Sequence, residues 1–434
     1  FGCQMNFYDS GKISDLLNVH GYKQINNITE ADLVVLNTCH IREKASEKLF
    51  SDLGRIKKLK KTKPLKIAVT GCVAQAESKE IISRAPYVDL VLGPQSYHRF
   101  PEMLRKIEDG YPTISITEFL TSEKFDNLPD TKYVNGPSAF ISIQEGCDKF
   151  CTFCVVPYTR GSEYSRSFAE IMSEVNTLTQ KGVKEITLLG QNVNAWHSSN
   201  TKNIDLGIGD LIIELAKNEK LSRIRYTTSH PLDMDQKLIE AHRDVSKLMP
   251  YLHLPIQSGS NKILNLMNRK HSRSDYIKII DKIRKYCPQI AISGDFIVGF
   301  PGETEKDFND TLSLVEEINY SQAYSFKYSP RPGTPASIIE DIVSEDVKNE
   351  RLYRLQELLN KQKLEFNLKF LNKYVEVLIE KKGKLENQNM GRSPWMQTVY
   401  VNSQKCNIGD IKKVKIDYSG LNSLRSSDFN LNNY

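Results

Sequence analysis

Nowhere in the 434 residues does an apolar run approach the ~20 residues that a membrane-spanning helix needs, which excludes a helical membrane protein. The first residues also lack the charged-then-apolar pattern of a secretory signal. Eight cysteines could pair as four disulfides, but six of them fall at loop positions suited to ligation, and nothing suggests export. The reading is a cytoplasmic protein in a reducing compartment, with thiolates holding metal. Strong net charge is missing as well, at +6, yet that charge is unevenly spread. Residues 366–434 carry eleven Lys and Arg against six Asp and Glu, a surplus of five that leaves the preceding 365 residues near neutral. A basic module of this kind suits a polyanion such as nucleic acid, or is simply a solvated surface. At 39% hydrophobic and 26% charged, the chain has an ordinary globular composition, with room for two to four domains of roughly 100–200 residues.

The chemistry is concentrated in one loop. Gln-Glu-Gly-Cys-Asp-Lys-Phe-Cys-Thr-Phe-Cys (144–154) places Cys147, Cys151 and Cys154 within a few residues and offers no obvious fourth ligand. A structural zinc usually closes its shell with four ligands. A cubane iron–sulfur cluster on three protein thiolates keeps one iron open. The run resembles the signature of the radical S-adenosylmethionine superfamily, including Phe153 before the last cysteine.

The first hundred or so residues alternate strand and helix. Runs 31–38, 66–70 and 88–92 are short and β-branched, as buried parallel strands are, and 10–20 reads as a helix closed by Gly21. Cys39 and Cys72 stand where the first two strands end, and Cys3 would follow a strand ahead of Phe1, where the chain opens without a Met. Loops at the carboxyl ends of such strands converge, so these three could form a second three-thiolate site, although each taken singly reads as a buried thiol. Cys287 and Cys406 read as ordinary thiols. The dense basic run 55–63 reads as a solvated helix end ahead of an RNA contact.

Residues 95–137 form a connector with a helix at Phe100–Glu108 and a polar boundary at 121–137. Six strand-like runs follow, at 139–144, 185–189, 223–228, 251–255, 295–299 and 323–328, with helices between, such as 168–181. Six βα units imply an incomplete barrel whose loops, the triple-cysteine loop among them, gather at one rim. A long helix follows Ser344 with acidic residues in its first turn, and runs 374–380, 398–401 and 412–417 read as a small β-barrel.

Taken together, the chain resembles the radical S-adenosylmethionine methylthiotransferase family over essentially its whole length. The runs that carry this are Phe-Gly-Cys-Gln-Met-Asn (1–6), Asn-Thr-Cys (37–39), Gly-Cys-Val-Ala (71–74), the triple-cysteine loop, Pro-Tyr-Thr-Arg-Gly (157–161), Leu-Gly-Gln-Asn-Val-Asn (189–194), His-Leu-Pro-Ile-Gln-Ser-Gly-Ser (253–260) and Gly-Phe-Pro-Gly-Glu-Thr (299–304). The run Asn-Thr-Cys-His-Ile-Arg-Glu-Lys-Ala (37–45), with Val-Val-Pro-Tyr-Thr-Arg-Gly (155–161), is most similar to the bacterial branch that modifies isopentenyladenosine beside the tRNA anticodon. Sister branches act on threonylcarbamoyl-adenosine or on a ribosomal-protein aspartate.

The resemblance implies a methylthiotransferase domain over 1–120, a radical core over 133–363 and a TRAM barrel over 366–430. It implies a 4Fe–4S cluster on Cys147, Cys151 and Cys154 that binds and reductively cleaves S-adenosylmethionine, and an auxiliary 4Fe–4S cluster on Cys3, Cys39 and Cys72. Gly190 and Gln191 would contact the methionine moiety of the bound cofactor, or serve the turn. The partners implied are the anticodon stem-loop of tRNA and an electron donor such as flavodoxin or ferredoxin, with the chain acting as a monomer off the membrane. Lys381, Lys382, Lys384, Lys412, Lys413 and Arg425 would touch phosphates, with Trp395 and Tyr400 available to stack on a base or to fill the small core. Glu303 could serve cofactor binding but reads rather as a helix cap, and neither a catalytic side chain nor a role for His230 or His253 is assigned.

Overall fold

Short runs of Val, Ile and Leu bounded by turn residues build the first layer, because a strand apolar on both sides is stable only when helices cover both its faces. The computed structural model describes residues 2–40, 43–118, 124, 125, 128, 134, 136–199, 204–340, 342–403 and 405–427. Most of the 121–137 boundary therefore lies outside the described residues, as do Phe1, and Ile41 and Arg42 of the 37–45 run.

Four parallel strands, β1 (Leu33–Thr38), β2 (Lys66–Gly71), β3 (Leu90–Leu92) and β4 (Ile114–Ile116), lie side by side in chain order. Alternation along β2 sends Ile67 and Val69 to one face, under α2 (Glu43–Lys60) and α3 (Cys72–Arg84). Ala68 goes to the other, under α1 (Gln4–Val19) and α4 (Phe100–Glu108). Strand β4 is not expected from the sequence; it is three residues long inside what reads as a connector. The basic run after Arg55 is the end of α2, and part of it is anchored. Lys60 binds Asp89 at 2.5 Å, Lys57 lies 5.0 Å from the Tyr87 ring centre, and Lys63 donates to the Thr29 and Ala31 carbonyls.

The second alternation gives six parallel strands in two halves. β5 (Ser138–Ser142), β6 (Glu185–Leu189) and β7 (Arg223–Thr227) form one sheet; β8 (Tyr251–His253), β9 (Ala291–Val298) and β10 (Gln322–Lys327) form the other. A single bridge from Ile224 to Leu248 joins the halves, so the expected incomplete barrel is present as an arc of two sheets. Strand side chains such as Ile141, Leu188, Ile224, Leu252 and Phe296 are fully buried against helices, including α6 (Phe168–Gln180) and α10 (Arg273–Tyr286). Each such residue contributes about 1.5–3 kcal/mol of burial. Thr304, rather than the expected Glu303, caps α11 (Glu305–Ile318), in a reciprocal capping box with Asp307. Glu303 turns inward instead, accepting from the Gly299 amide at 2.7 Å and pairing with Arg351 at 2.9 Å.

The long helix α12 (Glu345–Leu368) leads into a curled six-stranded sheet with β11 (Tyr374–Lys382), β12 (Gln388–Arg392), β13 (Thr398–Asn402) and β14 (Ile411–Lys415). Strand β12 escapes the sequence pattern because Gln-Asn-Met-Gly-Arg lacks the β-branched residues that mark a strand. Two guanidiniums fasten this sheet to the barrel floor. Arg223 donates to the Arg392 carbonyl at 2.8 Å, and Arg225 to the carbonyls of Ser393 and Pro394 at 2.8 Å each. Among the described residues, no helix is long and apolar enough to cross a membrane.

Helix α1 ties the first layer to the barrel. Phe7 packs edge-to-face on Phe140 of β5 at 5.7 Å, and Lys12 pairs with Glu174 of α6 at 2.9 Å. Burial raises the Glu174 carboxyl, but Lys12 and Arg166 outweigh it and hold it at about 2. The folded value lies below the ordinary roughly 4.3, so this contact stabilises fully above that pH and fades as the pH falls towards 2. Glu174→Gln should therefore lower the unfolding temperature most near neutrality, with the gap to the unaltered protein narrowing below about pH 4 and closing only as the pH approaches about 2. Calorimetry across a pH series checks this.

Candidate functional site

The triple-cysteine loop leaves β5 through Gly146, whose φ is +74° and where a Cβ would lie 1.9 Å from the Ser162 carbonyl oxygen. Only glycine permits that crossing. The Gln191 side-chain oxygen accepts from the Gly146 amide at 2.7 Å, and the Gln144 oxygen accepts from the amides of Gln191 and Asn192 at 2.9 and 3.0 Å. A Cβ on Gly190 would lie 2.6 Å from that same Gln144 oxygen. Of the expected cofactor residues, Gln191 thus holds the loop's backbone, and Gly190 leaves room for the Gln144 side chain. Further on, Thr152 donates to Met267 and accepts from Ala336, at 3.0 and 2.9 Å. Arg269 reaches the Cys151 sulfur at 3.4 Å while holding the Pro255 carbonyl at 2.6 Å. Burial is the main cause that pushes the Cys147 thiol up to about 11 and Cys154 to about 12, with the neighbouring Cys151 adding to it.

Two of the second three cysteines follow strand ends, and the third precedes α1. Cys39 follows β1, Cys72 opens α3 after β2, and Cys3 caps α1. Cys3 hydrogen-bonds Cys39, which with Asn6 and Arg160 lowers its thiol to about 6 against the opposing burial. Burial raises Cys72, opposed by the Arg160 guanidinium that hydrogen-bonds it. Asn6 and Asn37 lock α1 to β1 at 3.0 Å.

Arg160 belongs to both neighbourhoods. It ends α5 (Val156–Arg160), just beyond Cys154, and binds Asp9 at 2.6 Å and Glu145 at 3.4 Å. Lys124 completes the cluster, 2.6 Å from Glu145 and 3.6 Å from Asp9. All four side chains are buried, and two acids face two bases. Removing one member leaves an uncompensated buried charge.

Against the triple-cysteine loop lies a polar cradle. Asp233 joins Lys149 and Asn192, each at 2.8 Å, and His230 faces His271 at 5.7 Å between ring centres. Burial, then the Arg269 charge, keeps His230 neutral and lowers His271 to about 4. Five buried atoms here have no hydrogen-bond partner among the described residues: Asn192 Oδ1, Ser229 Oγ, His230 Nε2, Arg269 Nε and His271 Nε2. Buried polar atoms of this kind are ordinarily satisfied by water, an ion or a ligand. The sequence alone leaves His230 without a role and gives no sign of Arg269, which stands in a basic run (269–271) that only the fold brings to Cys151.

Neither cysteine set is disulfide-bonded. Among the described residues, no three His, Cys, Asp or Glu side chains are arranged to hold a single ion. The donor sets fit a cubane better on chemistry, since each thiolate then serves its own iron and a fourth ligand is not required. The candidate phosphate-binding residues are distributed over several strands. Lys381 and Lys382 end β11, Lys384 follows in the turn, Lys412 and Lys413 lie on β14, and Arg425 stacks on Tyr418 at 4.7 Å. Trp395 is not available to a base: its ring packs on Phe370 at 4.6 Å and its Nε1 donates to the Gln289 carbonyl at 2.8 Å. Tyr400 lies half-buried on β13.

Arg160→Met should cost about 3–5 kcal/mol, because Asp9 and Glu145 then face Lys124 alone. Denaturant unfolding of the variant beside the unaltered protein checks this.

Three family profiles match along the chain: an uncharacterized protein family, UPF0004, over residues 1–93; the radical SAM superfamily over 141–315; and the TRAM domain over 369–427. Among solved structures, the chain is similar to the radical S-adenosylmethionine methyltransferase TsrM from Kitasatospora setae, described with cobalamin and a [4Fe–4S] cluster bound. The TM-score is 0.59 at 13% identity, over 76% of this chain and 74% of that one. It is also similar to the cobalamin-dependent S-adenosylmethionine radical enzyme OxsB, with TM-score 0.53 and 14% identity over 81% of this chain, which spans 53% of that longer one. At these identities the likeness is one of fold. The three profiles in this order, on a chain with these two cysteine sets, are the signature by which the protein belongs to the radical S-adenosylmethionine methylthiotransferase family.

Proposed function

We propose that the chain methylthiolates carbon 2 of isopentenyladenosine at position 37 of tRNA, the residue 3′ of the anticodon. The observation that carries this is the placement of two three-cysteine sets on one rim, with Arg160 in contact with both neighbourhoods. One set would hold a cluster that binds S-adenosylmethionine through its open iron, and the other an auxiliary cluster. When bound, these groups and the cofactor supply the one-electron chemistry and the transferred sulfur.

The protein's own contribution is positional. Gln191 and Gln144 would hold the triple-cysteine loop against the rim, and Arg269 would place a fixed positive charge at Cys151. The five unpartnered atoms of the polar cradle would receive the polar groups of the cofactor. The Arg160 cluster, closed off from solvent, would fix the spacing between the two sets. The isopentenyladenosine branch, rather than its sisters, is favoured by the runs 37–45 and 155–161. The TRAM match and the basic surplus after residue 366 support an RNA substrate held largely through phosphates.

The test is anaerobic turnover of reconstituted protein with S-adenosylmethionine and reductant. The tRNA offered would bear either isopentenyladenosine or threonylcarbamoyl-adenosine, with nucleoside mass spectrometry as the readout. A methylthio group on isopentenyladenosine alone is expected, and modification of the other nucleoside, or of neither, overturns the assignment. Cys151→Ala should abolish turnover while about four of about eight irons remain. Neutralising Lys381, Lys382 and Lys384 together should weaken tRNA binding and reduce its salt slope by about 0.7–0.9 for each phosphate that these lysines neutralise. Filter binding across a salt series reads both.

A further inference from the structure

Strand β10 closes the barrel on one side, and its two faces differ. Lys327 reaches outward to Glu345 at 2.6 Å and Asn349 at 3.0 Å on α12, and Ala323 packs into the main core. Tyr324 and Phe326 alternate with these, so they face the barrel interior. Both remain open to solvent, at 43% and 39%. Exposed aromatics two residues apart on an inner wall contribute little to a core.

The groups around them are polar and ordered. Tyr324 meets the His253 ring edge-to-face at 6.3 Å. His253 has one ring nitrogen 3.5 Å from Asp295 and the other 3.0 Å from Ser293. Asp295 lies opposite Tyr324 in the β9–β10 register, and Ile297 lies opposite Phe326. Ile297 in turn packs in a cluster with Phe153 of the triple-cysteine loop. One wall thus runs from that loop through Phe326 and Tyr324 to the His253–Asp295 pair.

We propose that Tyr324 and Phe326 are a stacking platform for a single nucleobase turned out of its RNA, and that His253 and Asp295 hydrogen-bond its edge. The inference rests on the proposed function and deepens it by naming where the base sits. An enzyme that alters a base must first remove it from the stack, and single-stranded RNA is recognised mainly by stacking on aromatic rings with hydrogen bonds to base edges. The pair offers both kinds of edge contact, since the Asp295 carboxylate accepts and a His253 ring N–H donates. Both aromatics are solvent-exposed, so truncating them leaves the core intact.

The test uses the reconstituted full-length protein and an RNA hairpin carrying 2-aminopurine at the target position. Tyr324→Ala and Phe326→Ala should each weaken hairpin binding by about 5- to 150-fold, the range for one stacked base. The salt slope should stay unchanged, because every cation that meets a phosphate is still in place. The emission change of 2-aminopurine on binding should disappear in Tyr324→Ala and return in Tyr324→Phe. On turnover, KM should rise more than kcat falls, with iron content and S-adenosylmethionine affinity unaltered. Hairpin affinity equal to that of the unaltered protein in both alanine variants overturns the platform alone. Loss of S-adenosylmethionine affinity in place of RNA affinity overturns it too, by reassigning the wall to the cofactor. Failure of the unaltered protein to bind any hairpin removes the proposed function, and the platform with it.

Discussion

The rim is organised around one buried guanidinium. Placing Arg160 away from water is costly unless its charge is matched, and the match comes from elements far apart in the chain. Asp9 arrives on α1, whose N-cap is Cys3; Glu145 lies just ahead of Cys147; Cys72 opens α3. Each partner therefore carries a cysteine with it. Neutralising this charge draws together elements that carry cysteines of both sets. Gln95 reinforces the arrangement, donating to both Glu145 and the Arg160 carbonyl.

A second buried charge group works at the opposite end of the barrel. Arg225 meets Glu185 at 3.1 Å, and Arg223 lies 3.9 Å from the same carboxylate while also reaching Glu376. Other donors of the two go to backbone carbonyls of the C-terminal sheet. Rim and floor thus use the same physics for different ends. At the rim, charge matching aligns ligating groups; at the floor, it helps fasten one folded unit to another.

The parts of this architecture legible in the sequence are those written in local patterns. Strands β1, β2, β6 and β7 carry β-branched residues, helix α4 spans the residues that its pattern predicts, and Cys39, Cys72 and the triple-cysteine loop follow strand ends where parallel topology gathers loops. What escapes such patterns depends on distance. Arg269 reads as one more cation until the chain turn after α9 (Asn261–Leu266) brings it to Cys151. Glu303 resembles a cap because it precedes a helix, yet Thr304 takes that place and Arg351, far along the chain, claims the carboxylate. Tyr324 and Phe326 read from the sequence only as part of a strand, and only the open side of the barrel shows that they are not covered.

The chain has only two tryptophans, and their placement makes the molecule its own spectroscopic instrument. Trp196 is sealed in the barrel core with its Nε1 on the Arg166 carbonyl. Trp395 sits at the seam between barrel and C-terminal sheet, held by Gln289 and Phe370. Intrinsic emission therefore reports two separate events. A red shift from the seam tryptophan marks release of the small domain, while the core tryptophan stays blue until the barrel itself opens. With either ring replaced by Phe, each transition is followed alone, without an attached dye.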